Sequence, residues 1–272
     1  MWETAYHKEM PVPVFHVDAF TARPFAGNPA AVCPLSAWLD DARLLAVAAE
    51  NNLSDTAFFV PRGEGYELRW FTPRCEVKLC GHATLASAFV LLTILDPARD
   101  RVRFETRRSG TLTVHRDGDR FAMDFPALPP WVCPSPPAEL IRGLGTAPPT
   151  SVLQIEDIYF VVYQTEAEVR RISPDFALLE KLHPAAVAIT APGENADFVS
   201  RYFAPSYGVP EDPVTGSTHC SLTPYWAQRL GKKQLHAHQV SARGGELWCE
   251  PTADRVTIKG SAVLTLQGSM LI

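Results

Sequence analysis

Cys80 and Asp212 stand where their spacing could do chemistry. Two short blocks of the chain match, Arg69-Trp70-Phe71-Thr72-Pro73 and Arg201-Tyr202-Phe203-Ala204-Pro205. A count of seven from the closing proline reaches Cys80 in one copy and Asp212 in the other. A thiol and a carboxyl both handle protons. Two such groups on opposite sides of a bound carbon acid are what a racemase, an epimerase or a proton-shifting isomerase needs.

The elements that must position them follow from local pattern. After Cys80, residues 81–95 are almost all small or apolar, and a helix with no polar face is buried all round. After Asp212, a helix is expected over residues 216–230, with Pro224 uncertain in its middle. Strands are expected at 12–20, 30–33, 56–60, 66–71, 159–164, 186–190, 196–203, 235–241, 246–250 and 255–266, with Gly244-Gly245 as a hairpin turn. Residues 102–105, 110–115 and 120–125 read as a meander turning at Asp117-Gly118-Asp119. Helices are expected at 39–51 and 138–144. Six prolines within 126–137 make a linker candidate. The expected architecture is α+β. It has two pseudo-symmetric lobes, each a barrel-like, mostly antiparallel sheet round a central helix. Residues 1–126 form the first and 127–261 the second. If the lobes face each other, both helix N-termini offer unsatisfied N–H groups to one cleft, where a small carboxylate or enolate-like anion is stabilised.

The chain has 272 residues, 46% hydrophobic and 20% charged, with 30 acids against 25 bases. That composition builds a core and excludes a disordered tail, a coiled coil and a collagen-like rod. The net charge of −5 gives no electrostatic reason for nucleic-acid binding. The apolar stretch at 85–95 is too short to span a bilayer, and residues 1–10 lack a signal peptide's apolar region. A cytoplasmic location and no membrane partner are expected. The six cysteines form no C-x-x-C pair and read as free thiols. His236 and His238 share a strand face and, with His219 and Cys220, imitate a metal site. The spacings of known zinc motifs are absent, and no metal is expected. Nucleotide-binding glycine motifs and a G-x-S-x-G elbow are absent as well.

Four ordered segments carry a resemblance: Val17–Thr21 with Phe25-Ala26-Gly27-Asn28-Pro29; Asn52–Phe58; Leu79-Cys80-Gly81-His82-Ala83-Thr84; and Glu211-Asp212-Pro213-Val214-Thr215-Gly216-Ser217. Together they resemble the phenazine-biosynthesis F (PhzF-like) family of the diaminopimelate epimerase-like superfold. The resemblance implies a cofactor-free site between two lobes and a last strand, 262–272, that returns to the first. It also implies a homodimer and a small anionic metabolite as substrate. It places the acid/base carboxylate at Asp55, where the phenazine enzyme has glutamate. It marks His82 and Asp212 as orienting residues, and Gly81 and Ser217 at the two helix starts. Cys80 falls where the epimerases and racemases carry a catalytic cysteine, and Asp212 replaces their second one.

Each residue also has a plainer role open to it. Asp55 follows Ser54 in a polar turn and could cap it; buried near Phe58 and Trp70, it would have a raised pKa. His82, at a helix N-terminus, is expected as a neutral imidazole. Cys80 could be core filler, and Ser217 a cap. Gly27 allows close backbone approach to a ligand, Asn28 could bind a carboxylate, and Gly216 opens the second helix. The reading is a cofactor-independent isomerase shifting a proton on a small carboxylate-bearing metabolite. An epimerase using Cys80 is the alternative, and a non-catalytic binding protein on the same fold the third.

Overall fold

A computed structural model describes residues 11–145 and 148–272, so the reading of residues 1–10 lies outside the described residues. In chain order the elements are β1 (Pro11–Ala19), β2 (Asn28–Pro34), α1 (Asp41–Asn51), β3 (Asp55–Arg62), β4 (Gly65–Phe71), β5 (Glu76–Val77), α2 (Gly81–Val90), β6 (Arg101–Thr106) and β7 (Thr111–Asp117). They continue with β8 (Arg120–Pro126), β9 (Trp131–Val132), α3 (Ala138–Leu144), β10 (Ser151–Ile155), β11 (Ile158–Val162), α4 (Glu166–Arg171), α5 (Phe176–Glu180), β12 (Ala186–Pro192) and β13 (Phe198–Ala204). The chain closes with β14 (Val209–Asp212), α6 (His219–Leu230), β15 (Leu235–Gln239), β16 (Gly245–Thr252), β17 (Arg255–Gly260) and β18 (Ala262–Leu271).

Two compact units emerge. The first holds residues 11–19, 29–116 and 262–272; the second holds 20–28 and 117–261. The boundary expected at 126 falls at 116 instead, because β8 builds a ladder with β17 of the second unit. The proline-rich stretch is not a linker: within it β9 pairs with β10, inside the second unit. The strand expected over 255–266 is two strands, broken at Ser261, and β18 pairs antiparallel with β1. The helices α4 and α5, six and five residues long, are too short for periodicity to mark them. Capping does: Thr165 and Glu168 form a reciprocal capping box, and Asp175 caps α5.

In the first unit the strand order is β18-β1-β2-β3-β4-β6-β7, with β5 as a second partner of β4. Two connections are parallel crossovers through a helix, β2-α1-β3 and β4-α2-β6. α1 lies on one sheet face, where Leu44, Val47 and Ala48 pack with Val12, Cys33, Phe58 and Phe71. α2 packs on the other, against β1 and β3. With both faces covered, β3 is buried from Asp55 to Val60, and from Ala57 to Val60 its sequence runs apolar without alternation.

α2 is buried at every position except Gly81 and Phe89, as a helix without a polar face must be. It continues into a π-helical turn, Leu91–Leu95. Its hydroxyls turn back on the helix: Thr84 donates to the Cys80 carbonyl at 2.6 Å and Ser87 to that of Ala83 at 2.7 Å.

The second unit runs β9-β10-β11-β12-β13-β15-β16-β17-β8, with β14 as a second partner of β13. Its parallel crossovers, β11 to β12 and β13 to β15, again enclose helices. α3, α4 and α5 cover one face through Leu140, Val169 and Leu179, and α6 packs against β16 and β17. Pro224 sits inside α6 and cannot donate to the Cys220 carbonyl; the Leu128 amide donates to that carbonyl instead, at 2.9 Å. Neither series of ladders closes into a barrel among the described residues. The six cysteines are free thiols.

Candidate active site

The first unit gathers three groups that can carry a proton. Asp55 opens β3, Cys80 stands at the N-cap of α2, and His82 lies in its first turn. His82 Nε2 is 3.6 Å from Asp55 Oδ2, and Cys80 Sγ is 3.4 Å from His82 Nδ1. All three are buried. Burial pushes the His82 imidazole down to about 3, so the ring is neutral near pH 7. The neutral form was expected from the helix N-terminus; desolvation is the larger cause. Gly81 supplies the first helical position and is partly exposed, beside the cluster.

The second unit holds its own polar cluster round Asp212. Asn28 donates at 2.8 Å both to Asp212 Oδ1 and to the Val214 carbonyl, and the Thr215 hydroxyl donates to Asp212 Oδ2. Gln239 donates to the Asp212 carbonyl and accepts from the Thr215 amide, each at 2.8 Å. Desolvation pushes the Asp212 carboxyl up to about 6, against the downward pull of the Thr215 and Asn28 hydrogen bonds.

Asn28 is therefore not free to bind a carboxylate: it is fully buried and both amide hydrogens serve the protein. Its role is to hold Asp212. Gly27 takes a positive φ of 64°, and its amide donates to the Gly244 carbonyl while its own carbonyl accepts from Arg243. Ser217 is exposed in the turn that leads into α6. Gly216 must be small, because a Cβ there would stand 3.3 Å from the Phe20 ring. Sequence reasoning missed Thr215 and Gln239. The Asp212-x-x-Thr215 spacing was a readable signal for the first; nothing local marks the second.

The symmetry drawn between Cys80 and Asp212 does not hold in register. Trp70 pairs with Val77, seven residues on, whereas Tyr202 pairs with Asp212, ten residues on. The second connection is three residues longer, with a short 3-10 turn at Pro205–Tyr207. An equal count from the proline thus lands three residues early. By strand pairing, Asp212 matches Val77 and Thr215 matches Cys80.

Three donors suited to a metal lie within 4.8 Å of one another in Asp55, Cys80 and His82, and three more in His236, His238 and Glu246. His219 stands apart from the latter: it is fully buried, with Nδ1 2.9 Å from the Thr215 carbonyl and its ring against Phe198.

The profile of the family described as phenazine biosynthesis-like protein (PhzC-PhzF) matches residues 17–268. The uncharacterized isomerase PA2770 of Pseudomonas aeruginosa is 55% identical over 96% of this chain and 99% of its own length. The crystal structure of a PhzF family protein from Enterococcus faecalis superposes with a TM-score of 0.92 at 44% identity, covering 97% of this chain and all of that one. A hydroxyproline epimerase from Agrobacterium vitis shares the fold alone, with a TM-score of 0.58 at 12% identity over 96% of this chain and 93% of that one. Relatives named as isomerases at this identity, matched end to end, fix the class: the chain belongs to the phenazine biosynthesis-like (PhzF) family and is an isomerase.

Proposed function

We propose that the chain shifts a proton on a small carboxylate-bearing metabolite without a cofactor, with Asp55 as base and then as acid. The observation that carries this reading is the buried Asp55–His82 pair at the first turn of α2. Asp55 takes a proton from carbon, the electron pair moves into the conjugated carboxylate system, and the same carboxyl returns the proton at a second carbon. His82, held neutral, donates or accepts a hydrogen bond without adding charge. The amides of the first turn of α2 stabilise the developing anion. Asp212, held by Asn28 and Thr215, orients the substrate.

The test is proton exchange. The protein is incubated in deuterated water with the family's phenazine precursor, dihydro-hydroxyanthranilate, and a panel of other unsaturated carboxylates, and the products are followed by NMR. Wild type is expected to isomerise one of them, and Asp55→Asn to lose that turnover by roughly 10²- to 10⁴-fold. Unchanged turnover in Asp55→Asn sinks the assignment. The Cys80–His82 contact of 3.4 Å supports a second reading, an epimerase in which the imidazole takes the thiol proton. That reading requires inversion at one carbon and loss of activity in Cys80→Ser.

A further inference from the structure

We propose that His236, His238 and Glu246 form a binding site for a divalent ion of the zinc class, separate from the proton-transfer residues. The two histidines alternate along β15, so their side chains leave the same sheet face. Glu246 lies directly opposite His238 on β16. His236 Nε2 is 3.7 Å from Glu246 Oε2, and His238 Nε2 is 3.8 Å from Oε1. Ligands at about 2.1 Å from a tetrahedral ion stand about 3.4 Å apart, so small side-chain adjustments close this set on a metal.

Two observations point to a ligand. The Nε2 atoms of both histidines are shielded from solvent and have no hydrogen-bond partner among the described residues. Two buried lone pairs or N–H groups left this way cost free energy that a shared cation recovers. Second, His238 and Glu246 line a cavity of about 370 Å³, together with Arg23, Arg170, Ser241 and Arg243, so a metal held by three protein ligands keeps an open side. An ion with one open position and cationic side chains nearby suits a small anionic co-ligand.

The surroundings hold the ligands in place. The Trp248 indole stacks on the His236 ring, 4.9 Å between centroids and 13° from parallel, and the Arg120 guanidinium lies 3.5 Å over that indole. Two imidazoles with one carboxylate select zinc, nickel, copper or cobalt over magnesium or calcium. The reading of the sequence expected no metal because the zinc spacings are missing; the third ligand comes from the next strand, through register. The inner face of β15 carries Gln239, one residue from His238, which holds Asp212 and Thr215. An ion here clamps the hairpin that carries that support.

The test is metal binding to the untagged full chain. Co²⁺ is followed by its visible absorption, and Zn²⁺ by competition with a chromophoric chelator. One ion per chain is expected, with a rise in the unfolding temperature. Loss of a ligand weakens binding by at least roughly tenfold. That loss is expected in the double variant His236→Asn/His238→Asn and in the single variant Glu246→Gln, whose unfolding in chelator tracks wild type. Binding persists in Cys80→Ser. Absence of stoichiometric binding overturns the site, as does affinity unchanged in Glu246→Gln and in the double variant. A thiolate charge-transfer band lost in Cys80→Ser also overturns it, by placing the ion at Asp55, Cys80 and His82.

Discussion

The two units share a core strand order and one device, yet they carry different polar clusters. In each, an arginine on the strand before the central helix grips a glutamate with both arms. Arg69 reaches Glu76 at 2.7 and 2.9 Å, and Arg201 reaches Glu211 at 2.8 and 2.9 Å. Each guanidinium lies 4.9 Å over a phenylalanine two residues on, Phe71 or Phe203. Five residues after each glutamate comes the glycine that opens the helical turn, Gly81 or Gly216. The recurring block in the sequence is thus the signature of a scaffold joint. The candidate site residues sit at positions where the copies differ. Where the first unit has Asp55, strand register places Ala186 in the second; where it has Cys80 and His82, the second has Thr215 and Ser217. The second unit has Asp212 where the first has Val77. One unit gathers Asp55, Cys80 and His82, and the other surrounds Asp212 with Asn28 and Thr215.

The largest effect is expected from erasing that difference. Asp55→Ala gives the first unit the residue of the second and should lower isomerisation by roughly 10²- to 10⁴-fold, as loss of a general base does. Cys80→Thr does the same at the other position and should cost far less in a carboxylate-driven isomerase. Product NMR on both variants checks this. Equal losses would move the chemistry to the thiol.

The shared joint is tested next. Arg69 is 1% exposed, and Arg69→Met leaves the partly buried Glu76 without its partner. A loss of about 1–3 kcal/mol is expected in urea unfolding, since the partly desolvated carboxylate loses both of its charged hydrogen bonds. Arg201→Met, at a 12% exposed arginine, should cost somewhat less. Arg69→Met/Glu76→Leu should recover part of the loss. If either arginine proves dispensable, the two joints are not equivalent.

Much of this was legible. The apolar run of α2, the strands and the glycine turns follow from side-chain period, and the motif segments led to Asp55, His82 and Asp212. Less legible was whatever depends on partners distant in sequence. The Asn28–Asp212 bond joins residues 184 apart, and Asn28 reads locally as turn chemistry. Cys80 looked symmetric with Asp212 because a count along the chain cannot see that one connection is three residues longer. The first lobe was drawn to 126 because the pattern of β8 does not say that it also pairs with β17, about 130 residues on.

Asp212 should also titrate differently from an ordinary carboxylate. Its folded pKa of about 6 lies above the ordinary 3.8, so between these values the folded chain holds a proton that the unfolded chain has lost. Its contribution to stability is full below pH 3.8 and is lost as the pH rises through 6. Asn28→Ala removes a hydrogen bond that favours the charged form, so the midpoint should move further up. Carboxyl ¹³C NMR follows it, and a midpoint that falls or stays fixed would show that Asn28 does not support the carboxylate.

The smallest effect concerns the two central helices. α2 has no internal proline, whereas α6 carries Pro224. A proline inside a helix ordinarily costs about 3 kcal/mol, partly through the carbonyl it leaves unbonded. In α6 that carbonyl, on Cys220, already accepts from Leu128. Pro224→Ala restores an amide whose acceptor is taken, so a gain below about 1 kcal/mol is expected in urea unfolding. A gain near the full 3 kcal/mol would mean that the Leu128 bond does not compensate for the proline. The second unit's helix would then be the strained member of the pair. A small gain instead means that the segment after β8 is part of what lets a proline-bearing helix stand where the first unit has an unbroken one.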